Sequence, residues 1–243
     1  MEKFQPVSHI APNSISNKIK YYGRMLLDLQ ILSIYRDVKK TVPAFKENVL
    51  DIGCGDGPYK HLLSADNIKY FGIDIAAADE FKYDNKEVTV FDGKNIPFEN
   101  DKFDAFLCTE VLEHCPDYKE LVSEIYRVCK KNAVGIITIP WSARYHYIPY
   151  DYFRYTPSTL KDLFSSFSEV SITPRGTDIT AISSKLIVLF FRNIFSQRNP
   201  IYILLALLFS PILIPVILLG HLSLIFKFGS DEDPIGYTVI VKK

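Results

Sequence analysis

The sequence predicts an α/β fold, an open parallel sheet with a ligand site at the C-terminal ends of its strands. Three observations lead there. In Asn48 to Tyr59, NVLDIGCGDGPY, a short apolar run (Val49, Leu50, Ile52) meets Asp51 and the glycines Gly53, Gly55 and Gly57. Glycines so spaced let the backbone turn sharply and approach a ligand where a Cβ would collide. Next, several short apolar segments end on polar residues: Lys69 to Asp74, Glu87 to Phe91 before Asp92, and Phe103 to Thr109. Finally, such segments alternate with helical pieces, as in sheets whose ligands sit at the strand ends.

Taken in order, Ser16 to Lys40 reads as one helix. Ile19, Tyr22, Met25, Leu26, Leu29 and Leu32 recur at helical spacing, Lys20, Arg24, Asp28 and Lys39 fill the other face, and Pro43 stops it. It is expected to pack against the domain edge. After the first strand and its glycines, Tyr59 to Leu63 can open a helix facing the ligand. Asp74 follows the loop by about twenty residues, where a carboxylate can accept both hydroxyls of a ribose. Tyr118 to Lys130 is an amphipathic helix with Leu121, Ile125, Val128 and Cys129 inward. Val134 to Ile139 is a fifth strand, Thr156 and Pro157 cap a helix, and Glu169 to Thr173 and Gly236 to Lys242 are strands six and seven.

Composition narrows the function. The 243 residues suit one domain with an elaboration. Lys+Arg 28 against Asp+Glu 28 lacks the charge excess of a nucleic-acid binder, so no nucleic-acid partner is expected. Cys54, Cys108, Cys115 and Cys129 form no Cys-x-x-Cys pair and no zinc-type spacing, which favours buried, reduced thiols in a cytoplasm and gives no metal ligand. The N-terminal MEKFQPVSHIAPNS lacks the apolar core of a secretory signal.

The order DIGCGDG, GIDI, FDGKNIPFENDKFDAFLCTEVLEH resembles the class I S-adenosylmethionine-dependent methyltransferases, most closely the methyltransferase type 11 branch, over roughly residues 45 to 175. The resemblance implies a Rossmann-like, seven-stranded, mostly parallel sheet with an antiparallel last strand and helices on both faces. It implies that Asp51, Gly53, Cys54 and Gly55 line the methionine part of S-adenosylmethionine and that Asp74 holds the ribose, with Ile75 beside the adenine. Asp92 and Gly93 would meet the adenine edge, and Thr109, Glu110 and Val111 would close the site near the sulfonium. A cofactor with a neutral base, a diol and an amino-acid tail suits carboxylates and backbone groups rather than an Arg/Lys phosphate cradle. One departure stands out. Many relatives have a Lys-Pro-Gly-Gly turn before the fifth strand, and this chain has Lys130-Lys-Asn-Ala-Val-Gly135.

On the acceptor side, His114 in Glu110-Val-Leu-Glu-His114 is a candidate general base, as is His146, because an unperturbed imidazole titrates at about 6.5. The alternative is that Glu113 and His114 only shape the loop. The run Tyr145 to Tyr155, YHYIPYDYFRY, is dense in aromatics that suit a sugar or amphipathic acceptor, with Tyr145, His146, Tyr152 and Arg154 as candidate substrate contacts. The DYFRYT run is similar to a signature in relatives associated with surface-polysaccharide or glycolipid pathways. An equal alternative is that these aromatics cap the core.

Ile201 to Phe226 contains no Asp, Glu, Lys or Arg. Pro211 and Pro215 are expected to break it as a helix. If strands six and seven share one sheet, both ends of the insertion lie on one side of a membrane and a single crossing is excluded. A re-entrant hairpin bent at the prolines, or interfacial helices, remains, with Lys185, Arg192, Arg198 and Lys227 placed to reach headgroups. A dimer interface or a buried core helix is the alternative. The expected organisation is a helical cap over 1–44, a cofactor domain over 45–183 and 234–243, and the apolar insertion over 184–233. The expected function is methyl transfer to an oxygen-bearing small-molecule, glycan or lipid-linked acceptor at the cytoplasmic face of a membrane, with an oligomer possible. The rival is a non-catalytic scaffold of the same fold in a membrane complex.

Overall fold

The computed structural model of the protein describes residues 11–75, 88–195 and 199–243. Met1 to Ile10 of the N-terminal stretch, Glu87, Gln197 and Arg198 lie outside these residues. The sheet strands are β1 (Asn48–Ile52), β2 (Lys69–Ile75), β3 (Val88–Phe91), β4 (Phe103–Thr109), β5 (Cys129–Pro140), β6 (Glu169–Arg175) and β7 (Gly236–Lys242). Their order across the sheet is β3-β2-β1-β4-β5-β7-β6. The first five strands pair parallel, and β7 runs antiparallel between β5 and β6. The strand order reverses between β1 and β4, so the loops after these two strands open a crevice at one sheet edge.

Alternation along the central strands explains why they read as continuous apolar runs. Leu50 and Ile52 of β1, with Phe106 and Cys108 of β4, face one layer of core with Leu121 and Ile125 of α3 (Tyr118–Val128). Val49, Ala105, Leu107 and Ile136 face the other layer, formed with Tyr21, Met25, Tyr35 and Val38. Both faces are buried, as parallel strands require. The missing Lys-Pro-Gly-Gly turn is replaced by Asn132, which takes the left-handed conformation (φ 68°) within a lengthened β5 and donates its N–H to the Lys243 carbonyl at 2.8 Å. α4 (Pro157–Leu163) starts as expected, with the Thr156 hydroxyl accepting from the Thr159 N–H.

The single N-terminal helix expected from the sequence is two, α1 (Ile15–Leu27) and α2 (Leu29–Thr41). Asp28 ends the first and caps the second, its carboxylate accepting from the Ile31 N–H at 3.1 Å. The expected inward stripe holds only in part, at Met25 and Leu29. Tyr21 and Met25 are buried, while Ile15, Ile19, Tyr22 and Leu26 form a solvent-facing apolar stripe on α1. After the glycine loop, the expected helix is only a 3-10 turn, Lys60–Leu62.

The apolar insertion is corrected in a similar way. α6 (Pro200–Phe226) runs unbroken through Pro211 and Pro215. The Leu207 carbonyl that Pro211 cannot satisfy accepts instead from the Ser210 hydroxyl at 3.0 Å. α6 packs antiparallel on α5 (Asp178–Leu189) and its π-helical continuation to Phe195. The hairpin therefore bends between these helices, not at the prolines. Its root is tight: a Cβ on Gly220 would lie 2.6 Å from Leu29 Cδ1 and 2.9 Å from Ser183 Cβ. The Ser223 hydroxyl sits 2.7 Å from those of Thr177 and Thr180. Away from the root the helix is bare, with Leu207 68% and Ile214 71% exposed.

Candidate functional site

The site is built outward from the end of β1. Gly53, Gly55 and Gly57 all have positive φ, at 63°, 46° and 65°. A Cβ on Gly53 would lie 2.5 Å from Val111 Cγ2, so the loops after β1 and β4 close on each other only because that side chain is missing. Asp74, at the end of β2, fastens the loop. One oxygen accepts from the Gly55 N–H and the other from the Ile75 N–H, each at 2.8 Å. Burial raises this carboxyl above its ordinary range, against the pull of those two amides. Each oxygen keeps a second lone pair, so the geometry suits a vicinal diol.

The other acids on this side are engaged differently. Asp51 is buried beneath the loop and accepts from the Tyr70 hydroxyl at 2.8 Å. Burial lifts it to about 7, with the charge of Asp74 adding to the shift. Cys54 is also buried, and its backbone N–H bonds to the Ile73 carbonyl at 3.1 Å. Asp92 closes its own turn, accepting from the Asn95 side chain at 2.6 Å and from the Lys94 and Asn95 amides. The Asn95 side chain and these amides hold Asp92 down at about 2. The turn backbone and Gly93 (φ 82°), rather than the Asp92 carboxylate, are therefore left open to a base edge.

Beyond Thr109, Glu110 takes positive φ (55°) and turns its carboxylate back into the fold. One oxygen accepts from buried Arg175 at 2.7 Å and the other from Gln30 of α2 at 2.6 Å. Glu113 is wholly buried on the 3-10 turn Leu112–His114, and among the described residues neither of its oxygens has a hydrogen-bond partner. Burial, with the charge of Glu110, pushes its carboxyl well above the usual range. The segment after β5 folds over this turn: the Tyr152 N–H donates to the Glu113 carbonyl at 2.9 Å, and the Tyr155 hydroxyl donates to that of Leu112.

This brings His114 and His146 together, ring centroids 5.0 Å apart. Burial lowers His114 below its ordinary pKa, leaving it neutral at neutral pH. Arg154 grips Asp151 with contacts of 2.6 and 2.9 Å, and Asp151 in turn accepts from the His146 N–H at 3.0 Å. Burial works to raise Asp151, but the bonds from Arg154 and His146 hold it at about 2. Arg154 is thus tied up in the loop's own ion pair, while Tyr145 and Tyr152 are half-exposed at its surface.

Residues 50–137 match the family model described as a methyltransferase domain. That stretch is little more than a third of the chain, and over it the chain resembles the class I S-adenosylmethionine-dependent methyltransferases. A ubiquinone biosynthesis O-methyltransferase of Rickettsia prowazekii is 27% identical over 155 residues, covering 57% of this chain and 57% of that protein. A chloroplastic tocopherol O-methyltransferase of Arabidopsis thaliana is 32% identical over 110 residues, covering 40% of this chain and 31% of that one. The chain thus spans little more than half of the first relative and a third of the second. The crystal structure of a SAM-dependent methyltransferase from Archaeoglobus fulgidus superposes with TM-score 0.54 at 21% identity, covering 93% of this chain and 97% of that chain, and shares its fold.

The methyltransferase domain fits its cofactor, S-adenosylmethionine, on two observations. The positive-φ glycine loop brings its backbone within hydrogen-bond reach of Asp74, and that carboxylate keeps lone pairs for a ribose diol. Three residues escaped the sequence reading: Arg175, Gln30 and the bonding of Asp51 to Tyr70. Only Arg175 left a signal, a lone cation at the end of an apolar strand in a sheet whose other strand ends are functional.

Proposed function

We propose that the protein transfers a methyl group from S-adenosylmethionine to an oxygen of an amphipathic small-molecule acceptor at a membrane surface. The observation that carries the donor half is the Gly55–Asp74 bond, which sets a carboxylate beside a glycine turn at the reversal point of the sheet. S-adenosylmethionine, when bound, supplies a methyl group on an electrophilic sulfonium. Asp74 would hold the ribose hydroxyls, Gly53 and Gly55 the amino-acid tail, and Ile75 and Gly93 the adenine. The turn Thr109 to Val111, anchored through Glu110 to Arg175, would wall the reacting end and keep water out. Neutral His114 can take a proton from an acceptor hydroxyl. Much of the rate would come from holding acceptor and methyl group in line.

Two relatives are named as O-methyltransferases, one of ubiquinone biosynthesis and one of tocopherol, which supports an acceptor oxygen on a small molecule. The half-exposed Tyr145 and Tyr152 at the acceptor side fit such a molecule.

The membrane half rests on the hairpin. Its two ends join β6 and β7, which are neighbours in one sheet, so both lie on the same side of a bilayer. α6 is about 40 Å long, and its outer part is apolar on every face, so a dip into one leaflet accounts for it better than a crossing. The apolar stripe of α1 would lie in the interface beside the root, where His221 Nε2 is 2.9 Å from the Leu26 carbonyl.

Calorimetry with S-adenosylmethionine tests the donor half, and Asp74→Ala is expected to bind far more weakly. Unchanged affinity removes the ribose assignment. Flotation with anionic vesicles tests the membrane half. Leu207→Lys with Ile214→Lys should stay at the bottom of the gradient, since each buried charge costs about 2.5–3.5 kcal/mol in a bilayer core. Their exposure in the protein predicts a stability change within about 0.5 kcal/mol. A wild-type chain that never floats would assign the hairpin to self-association instead.

A further inference from the structure

We propose that Glu113, His114 and His146 form a binding site for one divalent transition-metal cation on the acceptor side of the crevice. Sequence spacing gave no metal ligands, because His146 lies far along the chain from the other two. The fold closes that gap. One ligand atom from each residue lies within 4.8 Å of the others. Metal–ligand bonds of about 2.0–2.2 Å require these atoms to draw in by roughly 1 Å, within reach of side-chain rotation.

Glu113 is the decisive group. Its side chain is 0% exposed, yet neither oxygen has a hydrogen-bond partner. A buried carboxyl left so is costly unless something from outside completes it. His114 does not complete it, since Nε2 lies 3.6 Å from Glu113 Oε1, beyond a hydrogen bond. Glu110, the other carboxylate at this corner, has both oxygens taken by Arg175 and Gln30. Of these two carboxylates, Glu113 is the one with both oxygens unengaged among the described residues.

The two imidazoles are oriented as ligands are. His114 Nδ1 is 2.6 Å from the Tyr150 carbonyl, which fixes that nitrogen as the N–H and leaves the Nε2 lone pair toward Glu113. His146 Nδ1 is 3.0 Å from the Arg144 carbonyl and 3.1 Å from Asp151, which leaves its Nε2 available. Carbonyl and carboxylate partners on the far ring nitrogen set the tautomer and aim of metal-bound histidines. Asp151 is itself held by Arg154, so the outer support is rigid.

Two imidazoles and one carboxylate suit zinc, manganese or ferrous iron better than magnesium or calcium, which favour all-oxygen sites. Three protein ligands leave open positions for an acceptor oxygen. This role, and not the cation site itself, rests on the methyl-transfer reading. A hydroxyl bound there would lose its proton to water and present its oxygen as the anion, in place of proton transfer to His114, whose Nε2 would be taken by the cation.

The test is titration of the chelator-treated full-length chain with Mn2+, followed by loss of the free-ion EPR signal, and displacement of that Mn2+ by Zn2+. One ion per chain is expected. Glu113→Gln and His146→Ala, on separate segments, should each weaken binding roughly tenfold or more, and His221→Gln should leave it unchanged. Mn2+ should raise the melting temperature of the wild type and of His221→Gln only. No saturable one-to-one binding, or equal affinity in Glu113→Gln and His146→Ala, overturns the proposal. S-adenosylmethionine binding by the metal-free wild type separates the two readings: its absence would sink the methyl donor and leave the cation site standing.

Discussion

The two sides of the crevice are built from the same residue types and differ in how far the chain satisfies them by itself. On the donor side Asp51, Asp74 and Asp92 all have hydrogen-bond partners, drawn from Tyr70, loop amides and Asn95. On the acceptor side Glu113 is fully buried with none, between two histidines whose Nδ1 atoms are already engaged. The donor side is thus preorganised by local backbone and turns. The proposed acceptor side keeps a buried carboxyl without a hydrogen-bond partner among the described residues. A shared donor needs one fixed cradle, whereas an acceptor site gains reach by leaving coordination open.

That contrast can be broken at several points. The largest expected effect is at Asp51, whose folded pKa of about 7 lies above the ordinary carboxylate value. A raised folded pKa means the stability it confers is fully present below about 4 and lost as pH rises through about 7. Over that window the wild type should lose up to about 4 kcal/mol through this group. Asp51→Asn keeps an acceptor for Tyr70 and should flatten the slope, becoming the more stable chain at pH 8. Urea midpoints at pH 5 and pH 8 measure it, and parallel pH dependences would contradict the assignment.

Next comes Asp74→Ala, expected to cost roughly 2–3 kcal/mol of S-adenosylmethionine binding, or ~30–150-fold in Kd, if two charge-assisted bonds to a ribose are lost. Glu113→Met should act in the opposite direction to any donor-side change. In the metal-free chain it removes a buried carboxyl without a partner and should add about 1–3 kcal/mol to unfolding stability. A loss there would show that Glu113 is satisfied in solution and would erase the contrast. The smallest effect is expected at Asp92→Ala, which loosens an exposed turn; its cofactor affinity should fall less than that of Asp74→Ala in the same calorimeter.

Much of the donor side was legible because its signals are local. Gly53, Gly55 and Asp74 lie within 22 residues in sequence, and glycine turns and strand-end acids need only near neighbours to act. The central strands were legible for the same reason, since β1 and β4 are buried on both faces and read as mostly apolar runs. Local reading failed where one residue changed a register or a bond. Asp28 splits the N-terminal helix by capping its second half, and of the expected inward stripe Ile19, Tyr22 and Leu26 face solvent while Met25 and Leu29 are buried. Ser210 rescues the carbonyl that Pro211 leaves open, so α6 continues where proline alone predicts a stop.

The sequence by itself determined the sheet, the glycine loop and the strand-end acid Asp74, because burial pattern and backbone permissiveness are properties of adjacent residues. It also determined that the segment from Ile201 to Phe226 carries no charge. Only the tertiary structure decided that this segment is one unbroken helix of a hairpin rooted at Gly220. Only the tertiary structure, too, brought His146 to Glu113 and His114 and left that carboxylate without a partner. Both outcomes depend on contacts between segments distant in the chain, where the free energy of close packing and buried polar groups is settled by the fold as a whole.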